Sequence, residues 1–296
     1  MRVCVIGGAG FLGSHVAEQL SSAGHEVVVY DRKPSAWLLK EQSMVIGDLL
    51  DIQSLQEAVK GCDVVYNFAA LADLNEALDK PIETVRVNIL GNVQALEACR
   101  LQKVKRFVYA STVYVNSREG GFYRCSKRAA EHYVEEYQQV YGLDYTILRY
   151  GSLYGPRADC SNGLYRIVKS ALETGKLRYQ GSPDTLREYI HVEDAARASV
   201  AALHDDFCNQ SVVLTGQEPM RVLDLLEMLA EILGLKNAVE FVAGEQAGHY
   251  VRTPYAYQPK LGRKYVPPMH VDLGQGLLQL IDVVRAVEVD GGSSQV

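Results

Sequence analysis

Tyr123 and Lys127 stand four residues apart in the run Tyr123-Arg124-Cys125-Ser126-Lys127. That spacing stacks two side chains on one helix face, one turn apart. An ammonium beside a phenol favours the phenolate and draws the tyrosine pKa toward neutrality. A phenolate so poised accepts a proton from an alcohol or sugar hydroxyl while hydride leaves the same carbon. The pair also occurs on solvated helix faces, so its weight depends on what surrounds it. A second chemical signal is Gly7-Gly8-Ala9-Gly10-Phe11-Leu12-Gly13, directly after the apolar run Val3–Ile6. In this Gly-x-x-Gly-x-x-Gly pattern Gly7 permits a tight turn, Gly10 lets backbone approach a pyrophosphate, and Gly13 lets helix pack on strand. Amides at the helix start, around Phe11 and Leu12, then face phosphates. Asp31 follows Gly13 by eighteen residues, at the end of a second apolar run. A carboxylate there accepts ribose hydroxyls and repels a 2′-phosphate, which favours NAD over NADP. Arg32, its neighbour, is the side chain that could accommodate such a phosphate.

These residues need a scaffold, and the first 150 positions supply an alternation of β-rich runs and helical patterns. Strands are expected at Arg2–Ile6, Glu26–Tyr30, Ser43–Ile46, Asp63–Phe68, Lys105–Ala110 and Asp144–Leu148. Helices are expected at Gly10–Ala23, Ile52–Lys60, Thr84–Gln102 and Tyr123–Tyr141. Nearly all-apolar strands alternating with helices predict an α/β, doubly wound parallel sheet covered on both faces. Tyr123 then follows the fifth strand, at the strand ends where such sheets bind ligands. After Tyr154-Gly155-Pro156 the pattern loosens, with regular helices at Val192–His204 and Val222–Gly234. The expected organisation is a nucleotide-binding domain over 1–154 and a smaller mixed α/β substrate lobe over 155–289. Some segments of the lobe return to the first domain, and a polar tail, 290–296, is expected to be disordered.

Composition narrows the classes. The chain has 296 residues, 48% hydrophobic and 22% charged, with 25 Gly and 9 Pro, which excludes disordered and collagenous proteins. Mean hydropathy is −0.07, and no apolar run reaches the roughly 18 residues of a membrane span. A net charge of −6 argues against a nucleic-acid binder. The six cysteines are scattered without close pairs, and Met1-Arg2 opens directly into a strand. Both point to reduced thiols and a cytoplasmic location. The seven histidines show no metal-binding spacing, so no metal is expected. Neither a Gly-x-Ser-x-Gly elbow nor a Walker lysine motif is present.

Further along, an ordered set of motifs resembles the extended short-chain dehydrogenase/reductase family, and within it the NAD-dependent sugar-nucleotide epimerases and dehydratases of the UDP-glucose 4-epimerase kind. Gly7–Gly13 resembles the family's glycine motif, and Gly47-Asp48-Leu49 the segment that contacts adenine. Asn67-Phe68-Ala69-Ala70 sits where the family places a His-x-Ala-Ala stretch beside the cofactor. Asn88 matches a recurrent asparagine, and Phe107–Thr112 the strand that ends in the active-site Ser or Thr. Leu148-Arg149-Tyr150-Gly151-Ser152-Leu153-Tyr154-Gly155-Pro156-Arg157 and Arg187-Glu188-Tyr189-Ile190-His191-Val192-Glu193-Asp194 resemble two further blocks. The resemblance spans roughly residues 1–285.

It implies a Rossmann fold with bound NAD, held by the glycine motif, Asp31, Asp48, Leu49, Phe68, Ala69, Ala70, Asn88, Tyr150, Tyr123 and Lys127. Tyr123 is the expected general base, with Lys127 on the nicotinamide ribose. Thr112 is the expected hydroxyl partner when counted from Phe107, with Ser111 as the alternative. The implied reaction is 4-epimerisation of a nucleotide-diphosphate sugar through a 4-keto intermediate. Ser152, Arg187, Asn162 and Arg252 are the candidate substrate contacts, a guanidinium suiting diphosphate oxygens. His191 and Cys125 read as structural, Cys125 as a packed residue. Two departures matter. The family's dehydratases and decarboxylases carry an acid after the active-site hydroxyl, whereas Thr112 is followed by Val113 and Tyr114. Ten residues separate Thr112 from Tyr123, a shorter loop than the family's. The alternatives are an NAD(P)-dependent reductase or dehydrogenase, distinguished by net cofactor turnover, and a non-catalytic cofactor-binding protein. Surplus apolar residues on the helices over 84–102 and 122–141, such as Val85, Ile89, Tyr133 and Val140, imply a homodimer through a four-helix interface.

Overall fold

The computed structural model describes residues 1–242. The chain opens with β1 (Arg2–Ile6), α1 (Phe11–Ser22), β2 (Glu26–Asp31), β3 (Ser43–Ile46), α2 (Ile52–Val59) and β4 (Val64–Asn67). Short helices α3 (Leu74–Asp79) and α4 (Pro81–Val85) lead through a π-helical turn, Arg86–Gly91, into α5 (Asn92–Leu101). Then come β5 (Arg106–Thr112), a 3-10 turn at Val113–Asn116, α6 (Gly121–Tyr141) and β6 (Asp144–Tyr150). The remainder is β7 (Ser152–Tyr154), α7 (Gly163–Thr174), β8 (Leu177–Gln180), β9 (Leu186–Arg187), β10 (Tyr189–His191) and α8 (Val192–Ala201). It closes with β11 (Gln210–Leu214), β12 (Met220–Arg221), α9 (Val222–Ile232) and β13 (Val239–Val242).

Seven strands make one parallel sheet in the order β11-β6-β5-β4-β1-β2-β3. The chain winds outward from β1 to β3 and then crosses back to β4, so the fold is the Rossmann type. That reversal leaves a crevice beyond the carboxyl ends of β1 and β4. In their register Ile6 faces Asn67, so Gly7 and Phe68 leave the sheet side by side. The strands are apolar on both sides because helices cover both. One core, around Tyr30, Leu55, Leu96 and Phe107, lies under α2, α5 and α6. The other, around Val5, Val16, Leu20 and Leu148, lies under α1 and α8.

The segments after Tyr154 divide between two roles. α8 packs on the sheet and β11 extends it beside β6, whereas α7, β8, α9 and β13 share a core of their own around Leu177, Tyr179 and Leu226. The loop that leaves β7 is anchored to α1. His15 Nε2 lies 3.0 Å from the Pro156 carbonyl. Arg157 pairs with Glu18, and its guanidinium stacks 4.7 Å from the centre of the Trp37 ring. Arg157 takes the left-handed backbone, φ 67°, to do so. The parts of the expected lobe beyond 242 and the tail 290–296 lie outside the described residues.

Two features depart from the sequence expectation. The helix expected over Thr84–Gln102 is interrupted by the π turn. A π turn adds a residue to one helical period, which apolar spacing does not reveal. It buries Asn88 and seats Gly91 against Leu49, where a Cβ would come within 2.6 Å of Leu49 Cδ2. Strand β11 was also not expected, being short and half-exposed. Gly47 carries a comparable constraint without any positive φ: a Cβ there would lie 2.3 Å from Ser54 Oγ and 2.4 Å from the Tyr30 hydroxyl. That hydroxyl donates to the Asp48 carbonyl at 2.8 Å. Gly47→Ala is therefore expected to cost about 1–3 kcal/mol by overpacking, read as a lower urea midpoint at unchanged m-value.

Candidate active site

Three glycines shape the crevice floor. Gly7 has φ 77°, and a Cβ on it would meet the Ala69 nitrogen at 2.6 Å. A Cβ on Gly13 would lie 2.2 Å from the Gly7 carbonyl oxygen, and one on Gly10 3.3 Å from the same atom. Gly10 caps α1 without a side chain, so the first-turn amides, those of Phe11 and Leu12 among them, have no capping acceptor. This is a cradle for an anion, cleared of side chains. Asp31, at the end of β2, turns toward it: its carboxylate accepts from the Ala9 amide at 3.1 Å and the Lys33 amide at 3.2 Å. Arg32 is exposed beside it. Exposed Asp48 and buried Leu49 follow β3, and half-buried Phe68, Ala69 and Ala70 follow β4. The Phe68 ring stacks on Tyr66 at 5.8 Å. This row of strand ends could hold a dinucleotide, the bare glycine turn offering amides to phosphates and Asp31 a carboxylate to a ribose.

Asn88 and Tyr150 sit differently from the other candidates for cofactor contact. Buried Asn88 accepts from the Leu71 amide at 2.7 Å and donates to the Leu71 carbonyl at 3.0 Å and to Ser126 Oγ at 2.9 Å. Ser126 in turn donates to the Tyr123 carbonyl at 2.8 Å. Asn88 thus ties the loop after β4 to the first turn of α6, and its amide protons are both committed. The Tyr150 hydroxyl pairs with Ser199 Oγ at 2.7 Å in the core, so it cannot reach a ligand in the crevice. The Tyr150 ring remains beside Phe68 at 6.4 Å.

α6 places Tyr123 and Lys127 at the carboxyl end of β5. Tyr123 is half-buried, and Tyr114 meets it edge-on at 6.4 Å. Thr112 engages the phenol in a side-chain hydrogen bond. Ser111 faces the other way along the extended strand. Its hydroxyl donates to Glu131 at 2.5 Å, so the structure brings Thr112, and not Ser111, to Tyr123. Lys127 is buried; its Nζ donates to the Ala110 carbonyl at 2.7 Å and lies 4.8 Å from the centre of the Tyr109 ring.

The electrostatics correct one expectation. Burial pushes the Tyr123 phenol up to about 12, opposed only by the Thr112 hydrogen bond. Lys127 Nζ lies 6.0 Å from the Tyr123 ring centre and is turned to the Ala110 carbonyl. Burial also pulls Lys127 down to about 7, opposed by Glu131. Desolvation is the largest influence on both groups. Glu131 carried no expectation, although its spacing from Lys127 and Tyr123 places all three on one helix face. Cys125 is also corrected: it is exposed rather than packed.

On the substrate side, Ser152 is half-buried, with its amide on the Glu188 carbonyl at 3.2 Å. Arg187 is buried in β9. Asn162 caps α7, accepting from the Tyr165 amide at 3.1 Å and donating to the Leu153 carbonyl at 2.8 Å. A cleft of about 470 Å³ opens beside it, lined by Tyr154, Tyr165, Tyr189, Met220 and Leu225. His191 caps α8 through Nδ1. Arg252 lies outside the described residues. Among the described residues no group of His, Cys, Asp and Glu could hold a metal ion, and no helix is long and apolar enough to cross a membrane.

Residues 3–214 match the model of the NAD dependent epimerase/dehydratase family. A Bacillus subtilis protein described as an uncharacterized UDP-glucose epimerase is 26% identical over 288 residues, covering 87% of this chain and 91% of its own. The UDP-N-acetyl-alpha-D-glucosaminuronate decarboxylase of Bacillus cytotoxicus is 30% identical over 245 residues, 73% of this chain and 75% of that one. Among solved structures, the UDP-glucose 4-epimerase of Thermus thermophilus in complex with NAD superposes with a TM-score of 0.78 at 29% identity, covering 89% of this chain and 95% of that one. The UDP-glucuronic acid 4-epimerase of Bacillus cereus, with UDP-glucuronic acid and NAD, gives 0.79 at 26% identity, covering 88% and 95%.

Because the Gly13 Cβ position overlaps the Gly7 carbonyl, Gly13→Ala is expected to displace the glycine turn. NAD affinity, followed by fluorescence titration, should fall by at least about tenfold, the loss of one good hydrogen bond or more.

Proposed function

The chain belongs to the NAD-dependent epimerase/dehydratase family, and from that premise we propose that it interconverts nucleotide-diphosphate sugars epimeric at C4, through a 4-keto sugar. The observation that carries the proposal is the pairing of Tyr123 with Thr112 at the mouth of the nucleotide crevice, with Lys127 one turn behind. NAD, when bound, supplies reversible hydride acceptance. Gly7, Gly10, Gly13 and Asp31 would hold its phosphates and ribose, with Asp48, Leu49 and Phe68–Ala70 along the remaining strand ends.

In this reading Tyr123 takes the proton of the sugar C4 hydroxyl and returns it when the sugar is reduced. Its high pKa in the described state means that it must lose its proton in the loaded site, where a cationic ring and the Lys127 ammonium would both favour the phenolate. Thr112 orients the phenol and the reacting hydroxyl. Arg187, Ser152 and Asn162 form the nucleotide side, and Asn162 also lines the cleft of about 470 Å³. Decarboxylation, the activity of the Bacillus cytotoxicus relative, finds no acid in Thr112-Val113-Tyr114.

Two further readings go with this one. The enzyme acts as a homodimer: Val85, Leu90, Tyr133 and Val140 are 46–58% exposed on α4, the π turn and α6. Apolar side chains gathered this way on neighbouring helices suit a four-helix contact between two copies. It works in the cytoplasm, in keeping with six free cysteines.

Proton NMR of the protein with a panel of UDP-, GDP-, CDP- and dTDP-sugars, without added reductant, tests the reaction. One sugar is expected to equilibrate with its C4 epimer. Turnover only with added NADH or NADPH would replace the epimerase reading by a reductase. Tyr123→Phe should lower turnover by at least about 10²-fold with NAD binding nearly intact, because only a proton-transfer group is lost. Val140→Glu is expected to shift the sedimentation of the protein from dimer to monomer; a wild-type profile would remove this face from the interface.

A further inference from the structure

Behind the Tyr123–Lys127 pair lies a buried ionic cluster that the proton transfer itself does not use. Glu131 is one turn beyond Lys127 on α6 and only 4% exposed. Its carboxylate accepts from Ser111 Oγ of β5 at 2.5 Å, Arg149 Nε of β6 at 3.0 Å and Arg149 Nη2 at 2.7 Å. One carboxylate therefore joins the helix of the reacting tyrosine to two adjacent strands. Ser111 precedes Thr112, so the bond that fixes Ser111 also fixes the strand end that presents Thr112.

We propose that Glu131 is a positioning residue for the reaction, holding the buried Lys127 side chain as an ammonium while anchoring Thr112 through Ser111. Four groups face Lys127. The Tyr109 ring of β5 lies against its Nζ, the Ala110 carbonyl accepts its proton, and Tyr123 and Glu131 stand one turn either side of it on α6. Only Glu131 among them is an anion. Arg149, on the far side, meets that carboxylate with two hydrogen bonds and gives the buried charge a partner. The direction agrees with the opposing pulls on Lys127, burial downward and Glu131 upward. The fork-on-fork geometry fixes the direction of the carboxylate as well as its position.

This inference rests on the reading of Tyr123 and Lys127 above, so its test has a readout independent of turnover. In full-length protein carrying 13C-labelled lysine, the Lys127 Cε resonance, assigned by its loss in Lys127→Arg, is followed through pH. Glu131→Gln keeps the shape of the side chain and removes its charge. The Lys127 midpoint is expected to fall by about one pH unit. Ser111→Ala, which removes a hydrogen bond and no charge, should leave the midpoint near wild type while lowering kcat through Thr112. If Glu131→Gln does not fold with Arg149 left unpaired, Glu131→Gln/Arg149→Met removes both charges, and a smaller downward shift is expected, because the more distant guanidinium that opposed the ammonium is lost as well. A wild-type midpoint in the folded single or double variant overturns the inference. Turnover of Tyr123→Phe on the same samples separates the two ideas. A fully active Tyr123→Phe refutes the reading of the base, whatever Lys127 does. An inactive Tyr123→Phe beside an unshifted Lys127 refutes only the role of Glu131.

Discussion

The close passage of Gly7 past the backbone of Phe68 and Ala69 sets the geometry on which the rest of the structure depends. A single methyl group on Gly7 would press to within 2.6 Å of a peptide nitrogen. The two strands that diverge in topology, β1 and β4, therefore stay in contact one residue past their ends, and the crevice between them keeps a floor of bare peptide. Asp31 is held from the other side by an amide of the same turn. The loop after β4 is held through Leu71 and Asn88. The first contact is backbone against backbone, and in the other two a single side chain, Asp31 or Asn88, grips backbone, so the shape of the crevice rests on one glycine and two polar residues.

The chemistry is attached to that crevice by one helix. α6 gains its position from the Asn88–Ser126 bond at its start and from the Glu131–Arg149 pair further along. Between these anchors lie Tyr123 and Lys127. Burial acts on both against ionisation, raising the phenol and lowering the amine. Burial thus biases each group toward its neutral form; a bound cationic ring would oppose this at the phenol, and Glu131 opposes it at the amine. In the proposed reaction, the energy that would make Tyr123 a base comes from the loaded site more than from the Tyr-x-x-x-Lys spacing.

Much of this was legible in the residues. The strand–helix alternation specified the sheet because buried parallel strands are apolar on both faces and helices keep their own period. The glycine spacing was legible because only glycine tolerates the approaches at Gly7 and Gly13. Counting from Phe107 chose Thr112 over Ser111, and strand alternation gives the reason. What the residues did not disclose were tertiary choices. The π turn at Arg86–Gly91 hides in an unbroken helical pattern. The hydroxyl of Tyr150 goes to Ser199, which lies 49 positions away in the sequence. Glu131 was overlooked because a single acid on a helix has no meaning until Arg149 and Ser111 are seen around it. The sign of the tyrosine shift was misread because spacing reports proximity and not desolvation.

The anchorage of the 155–158 loop on α1 bears on how such proteins can be recombined. The helix whose first turn faces the crevice also carries His15 and Glu18, which grip Pro156 and Arg157, and Trp37 completes the grip from the loop after Asp31. A second lobe grafted from a relative at the Tyr154 boundary would arrive without its matching residues on α1 and beside Asp31. Arg157, already in a left-handed backbone that such a side chain adopts only under constraint, would lose what holds it there. A working chimera must carry positions 15, 18 and 37 across with the lobe, so the natural unit of exchange crosses the chain rather than following it.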